Sequence, residues 1–396
     1  MVIQKTLRDL CLADQRVLVR ADFNVLDEYG NLVDDYRLRA TLPTIRYLIK
    51  SRAKVILMSH CGRPAGKIVK HLRLDRIAER LGTLLHTPVR KLDDCIGATI
   101  EETVTATKPG DVTLLENLRF HAEEELNDPG FAQALAKLGD VYVNDAFGTA
   151  HRQHASTVAV VKFLKPASIG LLMEQELKIL SQLLTSPDCP FVTVLGGAKV
   201  FDKINVIDNL LDKNVNAILI GGAMAHAFMS AKNFELGASL LDTQAVSPAR
   251  ELLETARAHN VEIILPKDLV VSKNNLEDVA THVVSSDQIP ASYMSLDIGP
   301  RTAAQFGKII ARANTVFWNG PMGQFEHQAF ANGTQTVADA IAKCNGTTVV
   351  GGGETVDALT DLGVLGKVTH ASTGGGAALE FLAGRSLPGI QALNIG

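Results

Sequence analysis

The sequence predicts an α/β protein of two lobes, each a parallel sheet flanked by helices, joined by a hinge helix. Three observations carry this expectation. Short apolar runs alternate with longer helical patterns along the whole chain, as βαβ units do when helices cover both faces of a parallel sheet. The loops after those runs are polar and basic in the first half and glycine-rich in the second. The 396 residues also exceed one ordinary core, since a domain averages about 150 residues, so two or three domains are expected.

In chain order, the first-half strands are expected at 17–20, 55–58, 112–115 and 141–143, with helices at 41–52, 74–85 and 131–137 between them. Residues 3–7 read as the start of the domain. Residues 168–182 read as a helix, and Thr-Ser-Pro-Asp-Cys-Pro190 then breaks it, which puts the interdomain hinge there. Second-half strands are expected at 191–195, 217–220, 262–265, 316–318 and 348–350. In open α/β sheets ligands bind at the carboxyl ends of strands, so each half should present one binding face.

Composition excludes several classes. With 46% hydrophobic and 21% charged residues and a net charge of −4, nothing draws the chain to nucleic acid or an anionic membrane. No apolar run approaches the ~18 residues of a membrane span, and the first residues lack a signal-peptide core. Five cysteines are scattered without a CxxC pair, which suits reduced thiols in a cytosolic protein and not a zinc site.

The first-half loops gather Arg20, Arg37, His60, Arg63, Arg119, His151 and Arg152, with Asp22 and Asn24 among them. One surface arginine is ordinarily just solvated. Several at successive strand ends form a cationic basket, because guanidinium forks match phosphate and carboxylate. Asp22 and Asn24 can then fix a sugar-like hydroxyl. His151 and His154 read as anion contacts or core histidines and not as a metal pair.

The second half carries glycine triplets at 351–353 and 374–376, and Gly196-Gly197 ahead of Lys199. A triplet alone fits a tight turn as well as a phosphate cradle. Repeated strand–glycine–helix starts favour phosphate, since bare backbone N–H groups can approach it closely. Lys199 and Lys203 are expected on one helix face, where an anion relieves their repulsion; a plain basic helix start is the alternative. Glu354 suits either a magnesium contact or an acid placed by the helix dipole. Glu326 can accept ribose hydroxyls. No GxxxxGK[ST] and no GxGxxG after a first strand occurs. A cationic face opposite a nucleotide face is the layout for phosphoryl transfer between two bound oxygens, which needs alignment and charge neutralisation but no nucleophilic side chain.

Nine stretches then resemble one family in order: VLVRADFNV (17–25), DDYRLRATLPTI (34–45), SHCGRP (59–64), LLENLRF (114–120), NDAFGTAHRQHAS (144–156), LGGAKVFDKI (195–204), NGPMGQFE (319–326), VGGGETV (350–356) and STGGGAALEFL (372–382). The set resembles phosphoglycerate kinase over essentially the whole chain. The resemblance implies two Rossmann-like lobes, residues 1–172 for phosphoglycerate and 189–380 for nucleotide, with a hinge at 173–188 and residues 381–396 packing back on the first lobe. It implies reversible phosphoryl transfer from 1,3-bisphosphoglycerate to MgADP, giving 3-phosphoglycerate and MgATP, in a cytoplasmic monomer.

By the same resemblance Asp22, Phe23, Asn24, Arg37, His60, Cys61, Gly62, Arg63, Arg119 and Arg152 contact phosphoglycerate. Arg37, Lys199 and the helix start at Gly375 and Gly376 act on the phosphoryl group in flight. Lys203, Glu326, Gly352, Gly353, Glu354 and Thr355 contact nucleotide, with Glu354 on Mg²⁺. Three positions depart from the family pattern: Leu26 where Pro is usual, which suggests a shortened loop, Cys61 where Leu is usual, and Glu354 where Asp is usual. The rivals are a nicotinamide-dependent dehydrogenase, disfavoured by the missing GxGxxG, and a two-lobed anion-binding protein, disfavoured by the lysine pair.

Overall fold

The computed structural model describes residues 5–273 and 280–394. Part of the expected start at 3–7, and residues 395–396 of the expected returning segment, lie outside these. Contacts divide the chain into two units, Met1–Lys178 with Ser386–Gly396, and Ile179–Arg385.

In the first unit, β1 (Arg16–Arg20), β2 (Lys54–Met58), β3 (Val89–Lys91), β4 (Val112–Leu114), β5 (Val141–Asn144) and β6 (Ala167–Ile169) form one sheet in the order β3-β4-β2-β1-β5-β6. Every pairing is parallel. The helices are α1 (Tyr36–Lys50), α2 (Asp75–Leu85), α3 (Ala98–Thr105), α4 (Ala122–Glu125) and α5 (Pro129–Ala136). Side chains alternate across the strands. Val17, Val19, Val55, Leu57, Val141 and Val143 pack in one apolar cluster with Leu38, Leu42 and Ile45 of α1 and Ile77 and Leu81 of α2. Leu18, Ile56, Met58 and Tyr142 pack in another, with Ile100 of α3 and Phe131 and Leu135 of α5. Burial on both faces is why these strands read as unbroken apolar runs.

Helix α6 (Leu171–Thr185) carries the chain across the division between Lys178 and Ile179. The second unit then runs β7 (Phe191–Leu195), α7 (Phe201–Leu211), β8 (Ala217–Ile220), α8 (Met224–Ala231), α9 (Val246–Ala258), β9 (Glu262–Ile264), β10 (Asp268–Ser272), β11 (His282–Ser285), β12 (Met294–Ile298), α10 (Pro300–Ile310), β13 (Thr315–Asn319), α11 (Asn332–Ala342), β14 (Thr347–Gly351), α12 (Gly353–Asp361), β15 (His370–Ala371) and α13 (Gly375–Leu382). Its main sheet is parallel, in the order β15-β14-β13-β7-β8-β9.

Three expectations are corrected. Helix α1 begins at Tyr36, not at residue 41, so Arg37 stands in its first turn instead of a loop; Pro43 is accommodated inside the helix. The second unit holds, besides its parallel sheet, a small antiparallel sheet β11-β10-β12. Helix α7 starts at Phe201, so Lys199 lies in the turn before it and does not share a helix face with Lys203. No helix among the described residues is long and apolar enough to cross a membrane.

Strand order marks one crevice in each sheet. In the first, β2 lies on one side of β1 and β5 on the other; in the second, β8 and β13 flank β7. The carboxyl ends of β1 and β5, and of β7 and β13, are therefore the topological switch points where ligands seat.

Candidate active site

In the first unit the loop after β1 is tied to the loop after β2. Gly62 N donates to Asn24 Oδ1 at 2.8 Å, and Phe23 N to Ser59 Oγ at 2.9 Å. Arg37 reaches back from α1 to Asn24 O at 3.1 Å and Asp22 Oδ1 at 3.4 Å. Gly62 has φ +66°, and a Cβ there would sit 2.7 Å from the end of the Leu72 side chain, so this turn favours glycine. Arg119 Nη1 donates to Gly62 O at 2.7 Å. Its Nη2 is buried without a hydrogen-bond partner, and its Nε lies 3.2 Å from Glu125 but off the bonding direction. Arg152 Nε donates to His151 Nε2 at 3.3 Å, and Arg63 is exposed.

Phe23 and Cys61 belong to the apolar cluster beneath this face, so their backbone, not their side chains, is what a ligand can meet. Burial pushes the Asp22 carboxyl up, but Arg37 and Arg20 outweigh it and hold it at about 2. Burial, with Arg20, Arg119 and Arg37 adding to it against Asp22, holds His60 well below the ordinary imidazole range. The face therefore presents arginines, one fixed carboxylate and a neutral histidine. The loop after Asn24 folds on itself, with Leu26 bridged to Leu32 and Val33 N donating to Val25 O at 3.0 Å.

In the second unit the loops after β7 and β13 are bonded to each other: Gly196 N donates to Asn319 O at 3.0 Å and Gly197 N to Pro321 O at 2.8 Å. A Cβ on Gly196 or Gly320 would strike the opposing backbone. Beside them is a cavity of about 240 Å³ whose wall includes Gly197, Gly222, Leu240, Leu269, Met294, Leu296, Met322, Glu326 and Glu354. Helices α12 and α13 start next to one another. Gly352, with φ +95°, caps α12, and a Cβ on Gly375 would lie 3.7 Å from Gly352 Cα. Gly353 and Gly376 are exposed, and Thr355 Oγ1 accepts from Gly320 N at 2.7 Å.

Two helix N-termini at one point make a strong anion seat. Lys203 is 5% exposed, with Nζ 3.5 Å from where a Cβ of Gly197 would be. Burial draws its ammonium down to about 8 against the pull of Glu354 and Asp202. Lys199 and Glu326 are exposed. Glu354 is a solvent-reaching carboxylate in the first turn of α12, which suits Mg²⁺, an ion that keeps waters and takes one or two carboxylates with phosphate oxygens.

A model of the phosphoglycerate kinase family matches residues 7–385. The chain is 53% identical over 388 residues to a phosphoglycerate kinase of Moorella thermoacetica, covering 98% of each chain. It is 50% identical over 390 residues to one of Pelotomaculum thermopropionicum, covering 98% of this chain and 99% of that one. The chain belongs to the phosphoglycerate kinase family. Solved phosphoglycerate kinases share the α/β fold: that of Coxiella burnetii at TM-score 0.86 and 37% identity, covering 99% of this chain and 98% of that one, and that of Pyrococcus horikoshii OT3 at TM-score 0.88 and 36% identity, covering 98% of each. Like other phosphoglycerate kinases, the protein is a glycolytic phosphotransferase with a carboxyl group as acceptor and a nucleotide as partner substrate.

Several residues of these sites escape sequence reading. Asn117 accepts from Cys61 N at 3.2 Å and Arg119 N at 3.1 Å and donates to Cys61 O at 2.8 Å, so it shapes the phosphoglycerate kinase loop that holds His60 to Arg63. Asn319 Nδ2 is buried without a partner beside Gly352. Asp297, on the wall of the second unit's cavity, accepts from Gly333 N at 2.7 Å. A lone Asn or Asp at a strand end carries no signal beyond its position. Elsewhere Asp94, Cys95 and His121 stand together, but each is satisfied within the protein: His121 Nε2 is 2.6 Å from Asp94 Oδ1, and Cys95 Sγ donates to Glu116 O at 2.9 Å.

Proposed function

We propose that the first unit binds 3-phosphoglycerate or 1,3-bisphosphoglycerate and the second binds ADP or ATP. Asp22, Asn24, Arg37, His60, Gly62, Arg63, Arg119 and Arg152 hold the phosphoglycerate, with backbone groups of Phe23 and Cys61. Lys203, Glu326, Gly352, Gly353, Glu354 and Thr355 hold the nucleotide. Glu354 and the nucleotide phosphates hold Mg²⁺, which supplies neutralisation of phosphate charge. Arg37, Lys199 and the N–H groups of Gly375 and Gly376 stabilise the three equatorial oxygens of the phosphoryl group as it passes in line between a carboxyl oxygen and the nucleotide. Bending at residues 173–188 brings the bound oxygens into line. The enzyme works as a cytoplasmic monomer.

The observation that carries this reading is Arg119, 3% exposed, whose Nε and Nη2 are buried without a hydrogen-bond partner while only Nη1 is bonded, to Gly62 O. With Glu125 beside it the guanidinium is not an unpaired charge, but its unfilled buried donors call for acceptor oxygens from outside, such as those of a phosphate or carboxylate. The test is a coupled assay of 1,3-bisphosphoglycerate formation from ATP and 3-phosphoglycerate, run with Mg²⁺ and with chelator. Turnover that needs Mg²⁺, and an Arg119→Leu variant whose KM rises for 3-phosphoglycerate but not for ATP, are expected. An unchanged KM for 3-phosphoglycerate overturns the assignment.

A further inference from the structure

Beneath the phosphoglycerate side lies a buried polar chain that ends on His60. Arg20, the last residue of β1, is fully buried, and Glu124 of α4 is fully buried as well. Glu124 accepts from Ser156 Oγ at 2.6 Å and from Ser156 N at 2.9 Å. Ser156 Oγ in turn accepts from Arg20 Nε at 2.8 Å, and Arg20 Nη1 donates to Ala21 O. Arg20 Nη2 lies 3.2 Å from His60 Nδ1 and 4.0 Å from Glu124 Oε1. A guanidinium has five donors and no acceptor, so at that contact the imidazole nitrogen must accept. A neutral imidazole that accepts at Nδ1 carries its proton on Nε2.

We propose that Arg20 is a positioning residue which, held by Glu124 and Ser156, locks His60 as the Nε2–H tautomer, so that His60 meets the anionic substrate as a hydrogen-bond donor. The opposite tautomer would turn a lone pair toward anionic oxygens in a site already rich in cations. This deepens the reading of His60 as a phosphoglycerate contact and rests on it. The charged groups acting on the ring are Asp22 from the β1 loop, Arg37 from α1, Arg119 from the loop after β4, and Arg20 itself. Arg20 and Arg119 act likewise on His154, whose Nδ1 lies 3.8 Å from Glu124. None of these removes the need for an acceptor opposite Nη2.

The test is nitrogen NMR of the full-length protein labelled at histidine, with the His60 signals assigned by their loss in His60→Gln. Wild type should show an unprotonated Nδ1 and a protonated Nε2 from pH 6 to 8, with and without 3-phosphoglycerate; a protonated Nδ1 overturns the proposal. The double variant Arg20→Met with Glu124→Gln removes the donor without stranding a buried carboxylate. It should show mixed tautomers and a KM for 3-phosphoglycerate raised about tenfold, ~1.4 kcal/mol, with kcat and the KM for ATP nearly unchanged. Arg20→Lys, which keeps a donor, should restore the single tautomer and much of the affinity. A double variant that folds and keeps both the wild-type tautomer and KM also overturns it; if it does not fold, the wild-type spectrum decides. His60→Ala separates the two readings: an unchanged KM there removes His60 as a substrate contact, whatever its tautomer.

Discussion

At the residue scale, Arg37 of the first unit and Lys203 of the second are held in opposite ways. Arg37 is half-buried and bonded to Asn24 O and Asp22, so its charge is answered before substrate arrives. Lys203 is buried with its ammonium drawn down to about 8 from 10.5. A lysine depressed in the folded state contributes stability above its unfolded value, lost as pH falls through the folded one, so at pH 7 charged Lys203 opposes folding. Lys203→Met should therefore stabilise nucleotide-free protein at pH 7 by on the order of 2 kcal/mol, seen as a higher melting temperature, and abolish the further rise caused by ADP. A lower melting temperature with the ADP effect intact would contradict this. Glu354→Ala should weaken use of MgADP more than binding of 3-phosphoglycerate; equal losses would argue against a metal contact. Arg37→Ala should leave both substrates bound while kcat falls by roughly 10²-fold or more, and unchanged turnover would remove its role on the moving phosphoryl group.

At the scale of elements, the glycine turns separate two functions that substitution can distinguish. Gly352 has φ +95°, and a Cβ there would stand 3.1 Å from Asn319 Nδ2 and 3.3 Å from Thr355 Oγ1. Gly352→Ala should cost about 1–3 kcal/mol of stability as well as ADP affinity. A methyl group on Gly353 would meet nothing within 4 Å, so Gly353→Ala should leave stability within about 0.5 kcal/mol while still lowering ADP affinity. Chemical melts alongside ADP titration of both variants read the difference. If Gly353→Ala binds ADP normally, phosphate does not approach that backbone. The same distinction explains what the sequence reveals. Central strands such as 17–20 and 191–195 are legible because both faces are buried, leaving an unbroken apolar run. The edge strands β3, VRK, and β15, HA, are too short and mixed to stand out, and β11 is half-exposed. The start of α1 hides in the polar stretch DDYRLR, with Pro43 further on. Charged residues at strand ends stand out in the sequence, although Arg20 proves fully buried and Arg37 helical, whereas Leu240, Leu269 and Met322 of the cavity wall look like any core residue until the fold gathers them.

At the scale of the molecule, the chain leaves the first unit at Lys178 and re-enters it at Ser386. The returning segment is built into the first unit and is not a loose tail. Leu387 is 3% exposed, and Ala392 lies in the cluster that lines one face of the first sheet. Gly389 N donates to Ala150 O at 2.9 Å, and Asn144 Nδ2 donates to Gly389 O at 3.3 Å. Asn144 ends β5, and the loop that follows carries Arg152, for which we propose a substrate contact, so the segment braces the start of that loop. Ending the chain at Arg385 exposes Leu387's site, worth about 2 kcal/mol, and strands the buried Asn144 amide, worth about 1–3 kcal/mol. The shortened protein should therefore lose several-fold in affinity for 3-phosphoglycerate, and calorimetry should show a lower melting temperature for it, while ADP binding by the second unit is nearly preserved. Equal weakening of both substrates would mean that the segment acts on the whole enzyme and not on the Asn144 loop.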